Sequence, residues 1–456
     1  MIVPRSRLIF GVGIVFVPFA TLATAVSSAA LLSGAVSCVF FILVLLDAVL
    51  SLGRLKGIRV EIPEVVRLSL QKKAQIELRF TNDRMKIRRL RIGLAFPQEI
   101  FSARQEMIVN LPEDRSSSTL SWPFKALRRG RYVLEKCYLE TASLFGFWSI
   151  RGVSAIRTEI RVYPNLMRGR ENLASLFLNR SFGIHTQRQV GKGREFDHLR
   201  EYLPGDSYED IYWKVTAKRG FPVSKIYQIE RTQELYIIID ASRLSTRTVQ
   251  KANRGRGTPG SDEAEAFFTT ILDRYITCAL ILGLAAERQG DLFGILSFSD
   301  RVREFLKAKN GKAHYNTCRD VLYTLAAQRV NPDFDELFTF IGSRIRRRAL
   351  LVFLTNMDDP VTTESFLKNV NLISRRHLVL VNMIEPAEAK PLFSSPDVAS
   401  SLDVYRHLGG HLLWEKLHET DKIMKRRGIG FSLLHHEKMS SQLISQYLSI
   451  KKRQLL

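Results

Sequence analysis

Ionisable side chains crowd one short stretch near the middle of the chain: Glu195, Asp197, His198, Glu201 and Asp206. Paired carboxylates with a nearby histidine are the raw material of general acid–base catalysis, so a hydrolase or transferase acting on a cell-envelope substrate is one chemistry this stretch could perform. No nucleophile is evidently placed for such chemistry there. The Gly191-Lys-Gly-Arg-Glu195 run has the glycines of a phosphate loop but lacks the GxxxxGK[ST] pattern, and it is not framed by an evident strand and helix. A third candidate is Asp240, which closes the apolar run Leu235–Ile239, with Ser242 two residues on. A strand-length apolar run ending on Asp reads as a buried parallel strand delivering a carboxylate to the C-terminal edge of its sheet, where open α/β sheets place ligands.

These residues need elements to position them. After Asp240, strand-like runs at Leu292–Phe298, Leu350–Leu354, Leu378–Val381 and Ile429–Leu434 alternate with helical stretches at 264–287, 313–328, 333–347, 365–374 and 440–451. Acidic Asp262, Glu263 and Glu265 precede the first of these helices. This alternation implies a mostly parallel sheet with helices on both faces. Residues 246–261 hold a Gly- and Arg-rich insert that reads as a surface loop. The Gly191–Lys214 segment reads as a clasp: charges interlock, Pro204-Gly205-Asp206 turns the chain, and Trp213 anchors it in a core.

Upstream, short alternating runs such as Ala74–Phe80, Leu90–Leu94 and Tyr132–Leu139 are broken by Asn82, Asp83, Pro97, Pro112 and Gly130. Period-two alternation predicts an antiparallel β-sandwich-like domain of about seven strands. Residues 8–50 are apolar apart from Asp47 and the small polar pair Ser27–Ser28, long enough for two membrane spans. A signal peptide alone would leave the second apolar run, Ala29–Leu46, unexplained, so a helical hairpin is preferred. Arg5 and Arg7 precede it and Arg54, Lys56 and Arg59 follow, which puts both ends, and the bulk of the chain, on the cytoplasmic side of an inner membrane. The resulting plan is a transmembrane hairpin at 1–56, a β-sandwich-like domain at 57–165, a linker and clasp at 166–230 and an α/β domain at 231–456.

The formal charge of +23 is spread over clusters such as Lys86–Arg91, Lys125–Arg131 and Arg344–Arg348. Scattered basic charge suits the anionic face of a membrane. Nucleic acid would be the other anionic partner, but zinc-finger spacing, recognition aromatics and a basic zipper are all missing, so none is expected. Cys38, Cys137, Cys278 and Cys318 stand far apart with no CxxC pair, as small core residues in a reducing compartment do. His435 and His436 follow the last strand; neighbours on a strand face opposite ways and chelate poorly, so a surface loop is expected there.

The segments GREFDHLREYLPGD (Gly193–Asp206), IYWKVTAKRG (Ile211–Gly220) and VSKIYQIERTQELYIIIDAS (Val223–Ser242) together resemble the signature of the bacterial domain-of-unknown-function family 58. Glu195, Asp197, Arg200, Pro204, Gly205, Asp206, Trp213, Lys214 and Asp240 carry the likeness. RGRY at Arg129–Tyr132, LFGFW at Leu144–Trp148 and QYLSIKK near the end extend it over nearly the whole chain. The resemblance implies a C-terminal von Willebrand factor A-like domain. Such domains hold Mg²⁺ through an Asp-x-Ser-x-Ser loop, a Thr and a second Asp, all hard oxygen ligands. Here those positions fall on Asp240, Ser242, Leu244, Ala313 and Asn356, with Asp358 or Asp359 as a compensating carboxylate, so the site is degenerate. The resemblance also implies a MoxR-type AAA+ ATPase as partner. Taken together, the expectation is a membrane-anchored, non-enzymatic adaptor that binds the ATPase or its client at the sheet edge around Asp240, Ser242 and Asn356, together with the Arg-rich insert at 246–261.

Overall fold

The computed structural model describes residues 1–25, 30–82, 87–111, 117–167, 190–228, 233–249, 269–392, 394 and 400–453. They form two compact units, Met1–Asn165 and Leu166–Leu456.

The first unit opens with the strand Ile2–Pro4 and two helices, Ser6–Ala25 and Ala30–Ser51. Of these, Leu31–Ser51 is long and apolar enough to cross a membrane, and only 17% of it is buried inside the protein. Among the described residues the apolar part of the first helix is the shorter Ser6–Leu22, so one clear span is described where two are expected. The helices pack closely: Gly11 faces the Phe40 ring, and Ser33 Oγ donates to the Phe19 carbonyl at 2.7 Å.

Two sheets follow. One runs in the order Ile2–Pro4, Trp148–Tyr163, Gly130–Ala142, Arg89–Leu94, Glu106–Asn110; the other runs Ile58–Glu61, Lys73–Asn82, Ser117–Ala126, Ile100–Phe101. Strict alternation drives both. Along Lys73–Asn82, Ile76, Leu78 and Phe80 are buried and Gln75, Glu77 and Arg79 exposed. The inward residues of both sheets share one core with Trp122, Phe124, Ile92 and Ile160. One pairing departs from the antiparallel expectation: Val65–Ser69 lies parallel to the end of Trp148–Tyr163. About half of the first unit separates the two strands in sequence, ample length for the crossover that parallel pairing requires.

In the second unit the central sheet has the order Val302–Lys309, Leu292–Phe298, Glu234–Asp240, Leu350–Leu354, Leu378–Ile384, Gly430–Leu434. All neighbours are parallel except the Val302–Lys309 edge strand, which the sequence pattern did not signal. Leu235, Ile237 and Ile239 face a core built with the helices Ile271–Arg288, Lys312–Leu322 and Met439–Arg453. Tyr236 and Ile238 face the opposite core, with Phe334–Arg344, Pro360–Asn369 and Ser401–Arg426. Burial on both faces explains why the strand is apolar at every position.

Several boundaries move. The helix expected from 264 begins at Ile271, because Thr270 and Asp273 close a reciprocal capping box; Asp262, Glu263 and Glu265 lie outside the described residues, as does most of the 246–261 insert. The 313–328 helix stops at Leu322, and the 365–374 helix starts earlier, at Pro360, with Asp359 accepting from Val361 N as its cap. The long helix Ser401–Arg426 was not anticipated. The expected linker lies mostly outside the described residues.

Candidate functional site

The chain passes from Glu234–Asp240 to Leu292–Phe298 on one side, then crosses to Leu350–Leu354 on the other. Asp240 therefore ends a strand at the point where the winding reverses, the place an open α/β sheet offers a crevice. Here that crevice is closed. Asp240 is fully buried, as are Ser242, Ser245, Thr355 and, within 2%, Asn356. Its Oδ1 accepts from Ser242 N at 2.8 Å and its Oδ2 from Thr355 Oγ1 at 2.7 Å, while its backbone carbonyl accepts from Ser245 Oγ at 2.7 Å. Burial pushes the Asp240 carboxyl up from its ordinary value, and the hydrogen bonds from Ser242 and Thr355 hold it partly back. Tyr275, from the helix Ile271–Arg288, donates to Asn356 Oδ1 at 3.1 Å. Its phenol is raised well above the ordinary tyrosine value by burial first and then by the Asp240 charge.

Of the positions expected for Mg²⁺, Ser242 Oγ and Asp358 Oδ1 are buried without a hydrogen-bond partner, whereas the rest are already engaged or carry no ligand atom. Both Asp240 oxygens are engaged by protein donors, Asn356 Oδ1 is engaged by Tyr275, and buried Leu244, like Ala313, offers no side-chain ligand. Asp358 pairs with Arg247 and Asp359 with Arg243 at 2.8 Å. Among the described residues no group of His, Cys, Asp or Glu is placed to hold a metal ion. The expected docking role of Asp240, Ser242 and Asn356 also needs correcting: buried side chains present nothing to a partner. The rim above them is ionic instead, with Arg243, Arg247 and Asp300 exposed and Arg303 bridging Asp300 to Ser299.

The signature segment folds as a hairpin. Val190–Glu201 pairs antiparallel with Val223–Gln228, so the Gly191–Glu195 glycines lie in a strand rather than a phosphate loop. The side chains of Glu195 and Asp197 lie outside the described residues. Between the strands, Gly205 (φ +113°) makes the turn and Asp206 gathers Arg200 Nη2 at 2.6 Å, Leu203 N at 3.1 Å and Ser224 Oγ at 3.4 Å. Asp206 thus pins the turn. The helix Trp213–Arg219 then ends on Gly220 at φ +77°. Trp213 does not anchor a core: it is 67% exposed, and Lys214 beside it is exposed too. A seven-residue helix between two turns leaves Trp213, on its first turn, no apolar layer to enter. Tyr208 is 76% exposed and Leu203 51%, with Phe221 also exposed. Tyr208 stacks on Tyr202, their ring centroids 5.8 Å apart.

The family described as "Protein of unknown function DUF58" matches residues 198–258 and 260–394. That match supports the DUF58 family for the C-terminal half of the chain. It takes in Trp213, the Asp240 strand and Asn356. No curated protein matches the chain. Among solved structures, the chain is similar to an aerotolerance-related membrane protein from Bacteroides fragilis NCTC 9343, at 12% identity and TM-score 0.28 over 48% of this chain and 98% of that one. It is also similar to an uncharacterized membrane spanning protein from Vibrio fischeri, at 14% identity and TM-score 0.16 over 48% of this chain and 98% of that one. A third is a protein of unknown function from Porphyromonas gingivalis W83, at 12% identity and TM-score 0.17, covering 43% of this chain and 62% of that one. With the apolar Leu31–Ser51 helix, the DUF58 match fits a membrane-associated protein of unknown function.

Sequence reasoning missed Thr355 and Tyr275 as the partners that close the Asp240 edge. Both come from elements distant in sequence, and neither carries a spacing signal. His435 and His436 lie in the turn just past the strand end at Leu434, as a surface loop requires, with ring centroids 4.6 Å apart.

Proposed function

We propose that the protein is a non-enzymatic adaptor of the bacterial cytoplasmic membrane, held by its two N-terminal helices with the bulk of the chain in the cytoplasm. Its von Willebrand A-like domain would engage a MoxR-type AAA+ ATPase or that ATPase's client. The observation that carries the adaptor reading is the exposure of Trp213 in the family-matched segment, preceded in sequence by exposed Leu203 and Tyr208. Large aromatic side chains left in solvent are costly to keep there and are the residues that dominate binding energy when a partner covers them. The sealed Asp240 cluster supports the same reading, since a carboxylate with both oxygens satisfied inside the protein is a strand-end clasp rather than a group poised to react. The parallel strands with one antiparallel edge, and helices on both faces, support the A-like assignment of the domain. Arg5, Arg7, Arg54, Lys56 and Arg59 support the cytoplasmic orientation.

The test is binding of the full-length protein, in detergent, to a purified MoxR-type ATPase with ATP present. Trp213→Ala combined with Tyr208→Ala should weaken binding more than about tenfold, as truncating hot-spot aromatics does, with the circular dichroism spectrum unchanged. Undiminished binding by this variant would refute the assigned surface. Absence of binding by the unaltered protein would refute the partner.

A further inference from the structure

The tip of the hairpin between Gly130–Ala142 and Trp148–Tyr163 carries Leu144 and Phe145 exposed at 56% and 57%. In water, two large apolar side chains at a turn would be an oddity. Their position beside the second helix changes the question. The tip runs along the last turns of Ala30–Ser51: Phe147 meets the Phe40 ring with centroids 5.9 Å apart, Trp148 Nε1 donates to the Val44 carbonyl at 3.0 Å, and Ser143 Oγ donates to Asp47 Oδ2 at 2.6 Å. From Phe40 to Ser51 the helix climbs about 16 Å, so the tip flanks roughly half of the Leu31–Ser51 span.

The backbone of the tip is arranged as a dry environment demands. Every N–H from Leu144 to Trp148 is accepted by a side-chain oxygen: Leu144 by Ser51 Oγ (3.2 Å), Phe145 by Asp47 Oδ1 (3.0 Å), Gly146 by Ser143 Oγ (3.1 Å), Phe147 by Asp47 Oδ2 (3.3 Å) and Trp148 by Ser143 Oγ (2.9 Å). A turn facing water leaves such groups to solvent. Hydrocarbon tolerates irregular backbone only where its polar groups are satisfied by protein. Asp47, fully buried within an apolar helix, is the converse case: an intramembrane carboxylate is stable only when paired, and here the tip supplies the donors. Arg7 lies against Gly146, whose φ of +83° admits the tight turn, and Arg54 donates to the Ala142 carbonyl at 3.0 Å. Both are long basic side chains whose stems can run along apolar surface while the charged head reaches toward anionic headgroups.

We infer that the Ser143–Trp148 tip is inserted into the bilayer beside the second helix, with Leu144 and Phe145 facing lipid acyl chains and Asp47 acting as the acceptor that makes insertion possible. This rests on the reading that the helix crosses a membrane, and the test separates the two. The full chain carrying Cys38→Ala is reconstituted in phosphatidylethanolamine–phosphatidylglycerol vesicles and spin-labelled at one introduced cysteine: Phe145→Cys, Val39→Cys on the exposed face of the span, or Tyr405→Cys on the exposed face of Ser401–Arg426. Accessibility to oxygen relative to a water-soluble nickel complex should be as high at 145 as at 39, and far above that at 405. A lipid-like value at 39 with a water-like value at 145 overturns the inference and leaves the anchor standing. A water-like value at 39 overturns both. Asp47→Ala should move the 145 label toward the water-like value, and Asp47→Asn, which keeps one acceptor, should move it less. No shift in either variant overturns the role given to Asp47.

Discussion

Asp240→Ala measures how much the sealed strand edge contributes. The substitution strands two buried donors, Ser242 N and Thr355 Oγ1, which lie 2.8 and 2.7 Å from the carboxylate. Each unsatisfied buried group costs about 1–3 kcal/mol. The Thr355 hydroxyl can rotate toward another acceptor, and deleting the carboxylate also removes its desolvation penalty, so the net loss should fall near 2–3 kcal/mol, or roughly 4–12 °C in the melting temperature of the C-terminal unit. Differential scanning calorimetry of the full-length protein in detergent reads this directly. Thr355→Val should couple to it, because both changes remove the same bond: the double variant should lose about 0.5–3 kcal/mol less than the sum of the singles. The sign of the pH effect follows from the raised carboxyl. A folded-state value above the unfolded one means the folded protein binds the proton more tightly. The contribution is therefore fully present below the ordinary aspartate range and is lost as pH rises through the folded value. The stability advantage of wild type over Asp240→Asn should accordingly shrink with rising pH. Strict additivity with Thr355→Val, or an Asp240→Ala protein as stable as wild type, would refute the clasp.

Gly294 lies in the strand beside Glu234–Asp240, and a Cβ there would meet the Leu306 carbonyl at 2.6 Å and the Tyr236 ring at 2.7 Å; Gly294→Ala should destabilise the second unit by about 1–3 kcal/mol in a urea titration. Tyr447 donates to Asp291, which also accepts from Lys451 at 2.8 Å and Gln233 N at 3.3 Å; Tyr447→Phe should cost about 1.5–3 kcal/mol as a hydrogen bond to a buried charge, checked by the same titration. Cys137, Cys278 and Cys318 are buried, their thiols pushed up to about 12, 11 and 12, whereas Cys38 is exposed on the candidate span. A maleimide should therefore leave Cys137, Cys278 and Cys318 unmodified in the folded protein and modify all three once it is unfolded in urea, as judged by mass spectrometry.

Much of the second unit was legible because its strands are buried on both faces, so Leu235–Ile239 and Leu350–Leu354 stand out as unbroken apolar runs. The antiparallel edge strand Val302–Lys309 escaped notice because one side meets solvent and its charges interrupt the run. Ser401–Arg426 escaped for a related reason: it buries only Gly410, Leu417, Thr420 and Met424, too sparse a stripe to show a helical period. Trp213 misled because aromatic residues are usually buried, and no local pattern says when one is not. The two carboxylates that organise the molecule, Asp47 and Asp240, were visible as residues. Their meaning lies in donors about a hundred residues away, Phe145 and Phe147 for the first and Thr355 for the second. No periodicity encodes such long-range pairing.

The adaptor account stands or falls on what touches the signature hairpin in the cell. A photo-activatable amino acid placed at position 213 of the full-length protein, irradiated in native membranes with and without ATP, reports that contact directly. The account predicts a cross-link to a AAA+ ATPase or its client whose yield depends on ATP. A partner captured equally well from position 405 but not from position 213 would contradict it.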